Sequence, residues 1–179
     1  LIVPEVIRGA GAQPVRTNVG HSLIKDIMRE SGAVFGGEHS AHYYFREFWG
    51  ADNGMLAAMH VLAEFGSQSG PLSVISARFS PYAQSGEINS TVSDVPAAQK
   101  RIREAFEGRG TFDTLDGLTV TGGSIDDTAL PPVAGEVREF WWFNVRPSNT
   151  EPLLRLNLEA STRDECDTHV AELLSVITA

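Results

Sequence analysis

Phe143-Asn144-Val145-Arg146-Pro147-Ser148-Asn149-Thr150-Glu151-Pro152-Leu153-Leu154-Arg155-Leu156-Asn157-Leu158-Glu159-Ala160 reads as two patterned strands joined by a polar turn. Leu154, Leu156, Leu158 and Ala160 alternate with Arg155, Asn157 and Glu159, the period of a strand with one buried face. Working outward, Val137–Val145 reads as the strand before the turn and Leu153–Ala160 as the strand after it. Glu87–Val92, Thr111–Leu115 and Leu118–Thr121 read as further strands. Asp94 caps a helix through Val95, Ala98, Ile102 and Phe106, with Pro96 in its first turn. Thr162 or Asp164 opens a terminal helix through Val170, Leu173, Leu174 and Ile177. Neighbouring strands with two helices predict an α+β layer with an antiparallel sheet.

The first 65 residues have a different rhythm. Pro4–Arg8 reads as the tail of a short helix and Gln13–Thr17 as a short strand. After the turn Asn18–His21, Ser22 caps a helix that carries Leu23, Ile24, Ile27 and Met28 and closes at Gly32. Ala33-Val34-Phe35 reads as a buried strand ended by Gly36-Gly37. This β-α-β order predicts a parallel pair with a right-handed crossover, and functional loops at the strands' carboxyl ends. A further helix, capped by Asp52 or Asn53, is expected to bury Met55, Leu56, Met59, Leu62 and Phe65, ending at Gly66. The Gly- and Ser-rich stretch Gly66–Gly70, followed by Pro71, is the predicted boundary, and Leu72–Tyr82 reads as a helix or an extended arm.

The chain has 179 residues, with 14 Lys+Arg against 23 Asp+Glu and a formal net charge of -9. That balance argues against a phosphate-tracking nucleic-acid binder. There is no run of roughly 18 apolar residues, so no membrane span is predicted. The single cysteine, Cys166, can form neither an internal disulfide nor a cysteine metal site, and reads as incidental in a reducing compartment. The opening Leu1-Ile2-Val3-Pro4-Glu5 lacks a signal-peptide pattern and reads as the inside of a packed unit. The expectation is a portion of a longer, cytoplasmic protein.

Two constellations carry chemistry. In the turn after the first strand, Arg146, Ser148, Asn149 and Thr150 bring one guanidinium, two hydroxyls and an amide together, a set suited to phosphate or carboxylate. The plainer reading is a polar hairpin turn with two prolines. In Gly36-Gly37-Glu38-His39-Ser40-Ala41-His42, an extended backbone would point Glu38, Ser40 and His42 to one face. A carboxylate there can accept two vicinal sugar hydroxyls, and a histidine can donate to a phosphate or shuttle a proton. The alternatives are a solvated loop, or a metal held by Glu38, His39 and His42. His21 precedes a helix N-terminus, a place that favours anions. His60 and His169 read as structural, Asp52 as a helix cap, Asp116 as a turn residue, and Asp126-Asp127 as surface.

The runs Val19–Lys25, Gly36–Gly54 and Phe143–Ala160, in this order and spacing, resemble the α-D-phosphohexomutases, above all the bacterial phosphomannomutase/phosphoglucomutase group. Enzymes of this family have four domains around a cleft. The resemblance implies a partial α/β third domain over residues 1–70, with a mixed parallel sheet and flanking helices. A hinge follows at 71–78. Residues 79–179 then form the fourth domain, an antiparallel sheet with two helices like the TATA-box-binding protein. The family's Gly-Glu-x-Ser-Gly-His sugar motif maps onto Gly37, Glu38, His39, Ser40, Ala41 and His42, with Ala41 where the family has glycine. By resemblance Glu38 and Ser40 hold sugar hydroxyls, His42 completes that loop, and His21 faces the cleft as a candidate catalytic residue. The Arg-x-Ser-Asn-Thr loop maps onto Arg146, Ser148, Asn149 and Thr150 and grips the phosphate that is not transferred.

The family interconverts hexose 1- and 6-phosphates through a phosphoserine and a bisphosphorylated sugar, with Mg²⁺ and a hexose 1,6-bisphosphate activator. Its serine loop, Thr-Ala-Ser-His-Asn-Pro, and its Asp-Gly-Asp-x-Asp-Arg metal loop belong to domains one and two, and neither string occurs here. The resemblance therefore implies a substrate-recognition portion that binds hexose phosphate, holds no metal or cofactor itself, is inactive alone, and has the first two domains of the same chain as partners. Phosphoglucosamine mutase, a non-catalytic phosphosugar-binding module and a purely structural domain pair are the other readings.

Overall fold

A computed structural model describes residues 2–123, 140–148 and 151–179. The chain forms two compact units, Val15–Phe79, and Leu1–Pro14 together with Ser80–Ala179. The short opening helix α1 (Ile2–Gly9) thus groups with the C-terminal residues rather than with the segment that follows it. Its buried Glu5 explains why: both carboxylate oxygens accept from the Tyr82 hydroxyl, at 2.7 and 2.8 Å.

In the unit Val15–Phe79, helix α2 (His21–Ser31) leads to a three-stranded antiparallel sheet, β1 (Phe35–Gly37), β2 (Tyr43–Phe45) and β3 (Ala51–Asp52), in that spatial order. Helices α3 (Gly54–Ser67) and α4 (Leu72–Ala77) follow, the latter within the segment expected to be a hinge. The expected parallel pair does not form: Phe35–Gly37 pairs antiparallel with Tyr43–Phe45, and residues 13–17 are not a strand. Pro14 offers no N–H to a ladder, and Val15 and Arg16 are exposed, so this stretch has no face to bury. Gly20, not Ser22, stands at the N-cap of α2, while Gly32 closes the helix in the left-handed region at φ 69°. Ile24 and Met28 turn inward and pack with fully buried Tyr44.

Asn53 caps α3 by accepting from the Leu56 N–H. The stripe expected to be buried there is exposed instead: Met55, Met59 and Leu62 are 74%, 60% and 65% accessible. No described element of this unit packs on that face. Leu56, Ala57, His60 and Val61 line one side of a cavity of about 530 Å³, facing Val34 and Phe45.

The other unit holds β4 (Ala83–Gln84), β5 (Ile88–Thr91), α5 (Val95–Ala105), β6 (Thr111–Asp113), β7 (Leu118–Gly123), β8 (Phe140–Pro147), β9 (Leu153–Ala160) and α6 (Arg163–Ile177). Its sheet runs β4-β9-β8-β7-β6, entirely antiparallel, and β5 also pairs with β9. β4 and β5 are thus two pieces of one edge strand, bridged where the Ser85 hydroxyl accepts from Leu158 N–H. The predicted alternation holds along β9: Leu154, Leu156, Leu158 and Ala160 are buried. Ala98, Ile102 and Phe106 of the α5 region and Cys166, Leu173 and Ile177 of α6 close that face. Thr162 caps α6 in a reciprocal box with Glu165, and Arg101 of α5 donates to the carbonyls of Val176 and Ile177 at its far end. The strand start expected at Val137, and Asp126-Asp127, lie outside the described residues.

Candidate functional site

The segment Glu38–His42 is a tight turn between β1 and β2, not an extended strand. Glu38 N–H donates to the His42 carbonyl at 3.1 Å, and Ala41 N–H donates to the Glu38 carbonyl at 3.0 Å. Ala41, where the resembled family carries glycine, sits at φ 65° in the left-handed region. The turn folds Glu38 and His42 against each other and leaves His39 and Ser40 exposed at its tip. The three alternating residues therefore do not share one strand face.

Around this turn the unit gathers a polar cluster. Tyr44, the second residue of β2, is fully buried, and its hydroxyl donates to Glu38 Oε1 at 2.8 Å. The same hydroxyl lies 2.8 Å from His21 Nδ1, at the first turn of α2. Burial and the neighbouring Glu38 push the Tyr44 phenol well above the ordinary tyrosine range. His42 Nδ1 lies 3.1 Å from Asp52 Oδ2 in β3, and the His21 and His42 rings meet edge-on with centroids 4.2 Å apart. The hydrogen bond from His42 holds the Asp52 carboxyl below its ordinary range, helped by a backbone bond and by the charge of Lys25. Lys25, one turn along α2 from His21, reaches to 3.9 Å from Asp52 Oδ1.

The metal set weighed as an alternative, Glu38, His39 and His42, is not the set that meets. Among the described residues the grouping is His21, Glu38 and His42, each offering a ligand atom within 4.8 Å of the others. The turn carries His39 outward, and α2 brings His21 in. Two imidazoles and one carboxylate do not suit Mg²⁺, which demands an octahedral oxygen shell. His21, Glu38 and His42 therefore do not fit the Mg²⁺ that the resemblance implies for the whole enzyme.

The second constellation sits on the polar face of the other unit's sheet. Trp142, Asn144 and Arg146 of β8 stand opposite Glu159, Asn157 and Arg155 of β9. Two guanidiniums in direct cross-strand register repel each other, and each is held by an acid. Arg146 Nη1 lies 3.6 Å from Asp116 Oδ2, and Arg155 Nη1 lies 3.7 Å from Glu87 Oε1. Asn144 pins the turn that carries Asp116 by donating to the Asp116 carbonyl at 2.7 Å. Ser148 N–H donates to the Leu153 carbonyl at 2.8 Å, closing the loop. Asn149 and Thr150 lie outside the described residues.

Sequence reasoning missed Tyr44, Asp116 and Arg155. Tyr44 had one available signal: two residues beyond His42 in a strand, it shares His42's face. His60 and His169 have structural settings, His60 stacked on Phe45 and His169 against Trp141. Cys166 is buried, and that burial pushes its thiol up, away from reactivity.

No helix among the described residues is long and apolar enough to cross a membrane. The family description "phosphoglucomutase/phosphomannomutase, alpha/beta/alpha domain III" matches residues 1–82, and "phosphoglucomutase/phosphomannomutase, C-terminal domain" matches residues 87–175. A phosphomannomutase of Methanocaldococcus jannaschii is 36% identical over 176 residues, covering 98% of this chain and 35% of its own length. A Xanthomonas campestris pv. campestris protein named phosphohexose mutases is 41% identical over 158 residues, 87% of this chain and 32% of its own. The chain therefore spans about a third of the length of the curated relatives it matches. A solved phosphoglucomutase/phosphomannomutase family protein from Burkholderia thailandensis shares the fold, with a TM-score of 0.72 over 98% of this chain and 34% of its own, at 24% identity. With both descriptions matched in order, the chain belongs to the phosphoglucomutase/phosphomannomutase family and carries its third and C-terminal domains.

Proposed function

We propose that this chain is the substrate-recognition part of a phosphohexomutase that interconverts the 1- and 6-phosphates of mannose, glucose or both. The first two domains of the same protein are its partners and supply the phosphoserine, the Mg²⁺ site and the transfer chemistry through a bisphosphorylated sugar. In this reading the Glu38 carboxylate accepts from neighbouring sugar hydroxyls, with Ser40 and His42 beside it and His21 bordering the same face. Arg146 and Ser148, with Asn149 and Thr150, hold the phosphate that is not being transferred. Mannose and glucose differ at C2, and a carboxylate reading O3 and O4 accepts both. With a membrane-impermeant dianion as substrate, the reading is cytoplasmic.

The observation that carries this is the fixed Glu38 carboxylate. Tyr44 occupies Oε1 from below, and the β1–β2 turn holds the group at a partly accessible position. A carboxylate so held has lost its rotamer entropy before a sugar arrives. The phosphate loop adds a guanidinium whose present partner, Asp116, is 3.6 Å away, a contact that an incoming dianion outcompetes.

The test is a backbone NMR titration of this chain with glucose 1-phosphate and then mannose 1-phosphate. Shifts at Glu38–His42 and at Arg146–Ser148, weakened by Glu38→Gln and Arg146→Ala respectively, are expected. No shift in either loop at millimolar sugar phosphate overturns the reading.

A further inference from the structure

The hydrogen bonds around Tyr44 decide the tautomers of two histidines. A phenol has one proton, and Tyr44 gives it to Glu38 Oε1. The 2.8 Å contact between the same oxygen and His21 Nδ1 then requires the histidine to donate, so His21 carries its proton on Nδ1. His42 Nδ1 faces the acceptor-only Asp52 carboxylate and must donate as well. Both imidazoles are thereby set with a lone pair on Nε2. Each has its opposite nitrogen bound to an oxygen partner, the arrangement that orients metal-ligating histidines. Glu38 supplies a third donor, with Oε2 left over from the Tyr44 bond. His21, Glu38 and His42 can each place a ligand atom within 4.8 Å of the other two, and small side-chain rotations that draw these atoms in to roughly 3.5 Å of one another give the spacing of tetrahedral bonds of about 2.0–2.2 Å.

We propose that His21, Glu38 and His42 form a three-ligand site for a borderline transition-metal ion of the Zn²⁺ class, oriented from behind by Tyr44 and Asp52. Two nitrogens and one oxygen with a fourth position open are a donor set that Zn²⁺ and Co²⁺ take and Mg²⁺ refuses. Occupancy consumes the Glu38 carboxylate, so the ion and the sugar hydroxyls compete. That competition rests on the reading of Glu38 given above, whereas the metal site rests only on the geometry of the cluster.

The experiment titrates the untagged chain with Co²⁺ and follows the visible d–d bands, then adds Zn²⁺ to displace it. One saturable equivalent is expected. Affinity should fall about tenfold or more in His21→Ala and His42→Ala and about tenfold in Asp52→Asn, and stay unchanged in His39→Ala and His60→Ala. Because a variant can misfold, imidazole ¹⁵N spectra of the wild-type chain give a second readout. Zn²⁺ should move Nε2 of His21 and His42 and leave those of His39, His60 and His169. No saturable band, or ring shifts only at the other histidines, overturns the site. Glucose 1-phosphate that shifts Glu38 in a chain indifferent to Zn²⁺ removes this inference alone. Zn²⁺ bound at His21 and His42 in a chain indifferent to sugar phosphate upholds the site and removes the sugar reading.

Discussion

The buried hydroxyl of Tyr44 donates to Glu38 Oε1 at 2.8 Å, so one proton holds the carboxylate that the sugar reading depends on. Tyr44→Phe keeps the ring in the core and deletes that bond. Glu38 then regains its rotamers and His21 loses its acceptor. The expected result is about a five- to tenfold weaker response of Glu38 to glucose 1-phosphate, in line with about 1 kcal/mol for a net hydrogen bond, and little change at Arg146.

The same contact gives a pH signature. The Tyr44 phenol is raised above its unfolded value, mainly by burial and then by Glu38. Its contribution to stability is therefore complete below the ordinary tyrosine pKa, about 10, and is lost as pH climbs from there through the folded value. Alkaline unfolding followed by near-UV absorbance should show wild type destabilising more steeply above that point than Tyr44→Phe. Equal slopes would mean that Tyr44 is not buried beside Glu38.

Ala41, at the position where the resembled family's sugar motif has glycine, sits at φ 65°. An L-residue there costs roughly 1–2 kcal/mol, against the 0.5–1 kcal/mol that glycine loses in chain entropy. Ala41→Gly is expected to stabilise the chain by about 0.5–1 kcal/mol in urea unfolding, with the Glu38–His42 backbone pairing unchanged. A destabilised variant would show that the turn does not need the left-handed conformation.

The sheet of β8 and β9 was legible because its burial alternates with the chain itself, as Leu154, Leu156 and Leu158 do. The antiparallel β1–β2 hairpin was not, because β1 is three residues, Phe35-Gly36-Gly37, and short apolar runs carry no pairing direction. Glu38, Ser40 and His42 alternate in sequence, but a five-residue turn does not obey strand periodicity. Tyr44 carries no local mark of its role. Its role comes from α2 bringing His21 above it, 23 positions away. Arg155 faces Arg146 through cross-strand register, and Asp116 reaches Arg146 from the β6–β7 turn, relationships that no local pattern encodes.

The apolar stripe of α3 is correct as a pattern and exposed as a fact. Met59 and Leu62 are 60% and 65% accessible, so their polar replacement removes little buried area. Met59→Lys and Leu62→Lys should each change this chain's unfolding free energy by less than about 0.5 kcal/mol. A loss of about 2 kcal/mol or more in either would show that the face is covered in solution.

Gly117 lies in the turn beside Arg146, the guanidinium of the proposed phosphate loop. It sits at φ 76°, and a Cβ there would lie 2.7 Å from the Val145 carbonyl and 3.1 Å from the Arg146 Cα. The turn bearing Asp116 therefore touches the backbone of β8 beside the guanidinium it holds. Gly117→Ala combines a left-handed alanine with a backbone clash, and should destabilise by roughly 2–4 kcal/mol. Because the clash pushes on Arg146, phosphate binding should suffer even under conditions where the variant is folded. Arg146→Ala should weaken inorganic phosphate binding about 10- to 100-fold, the weight of a charge-assisted bond. Arg155→Ala should cost less, since Arg155 stands on β9 outside the Arg146–Thr150 loop, and Asp116→Asn should tighten phosphate by removing a competitor for Arg146. Phosphate affinity measured by calorimetry at constant ionic strength separates these cases. Equal affinities for wild type and Arg146→Ala would leave the cross-strand arginines a structural pair and the loop without its ligand.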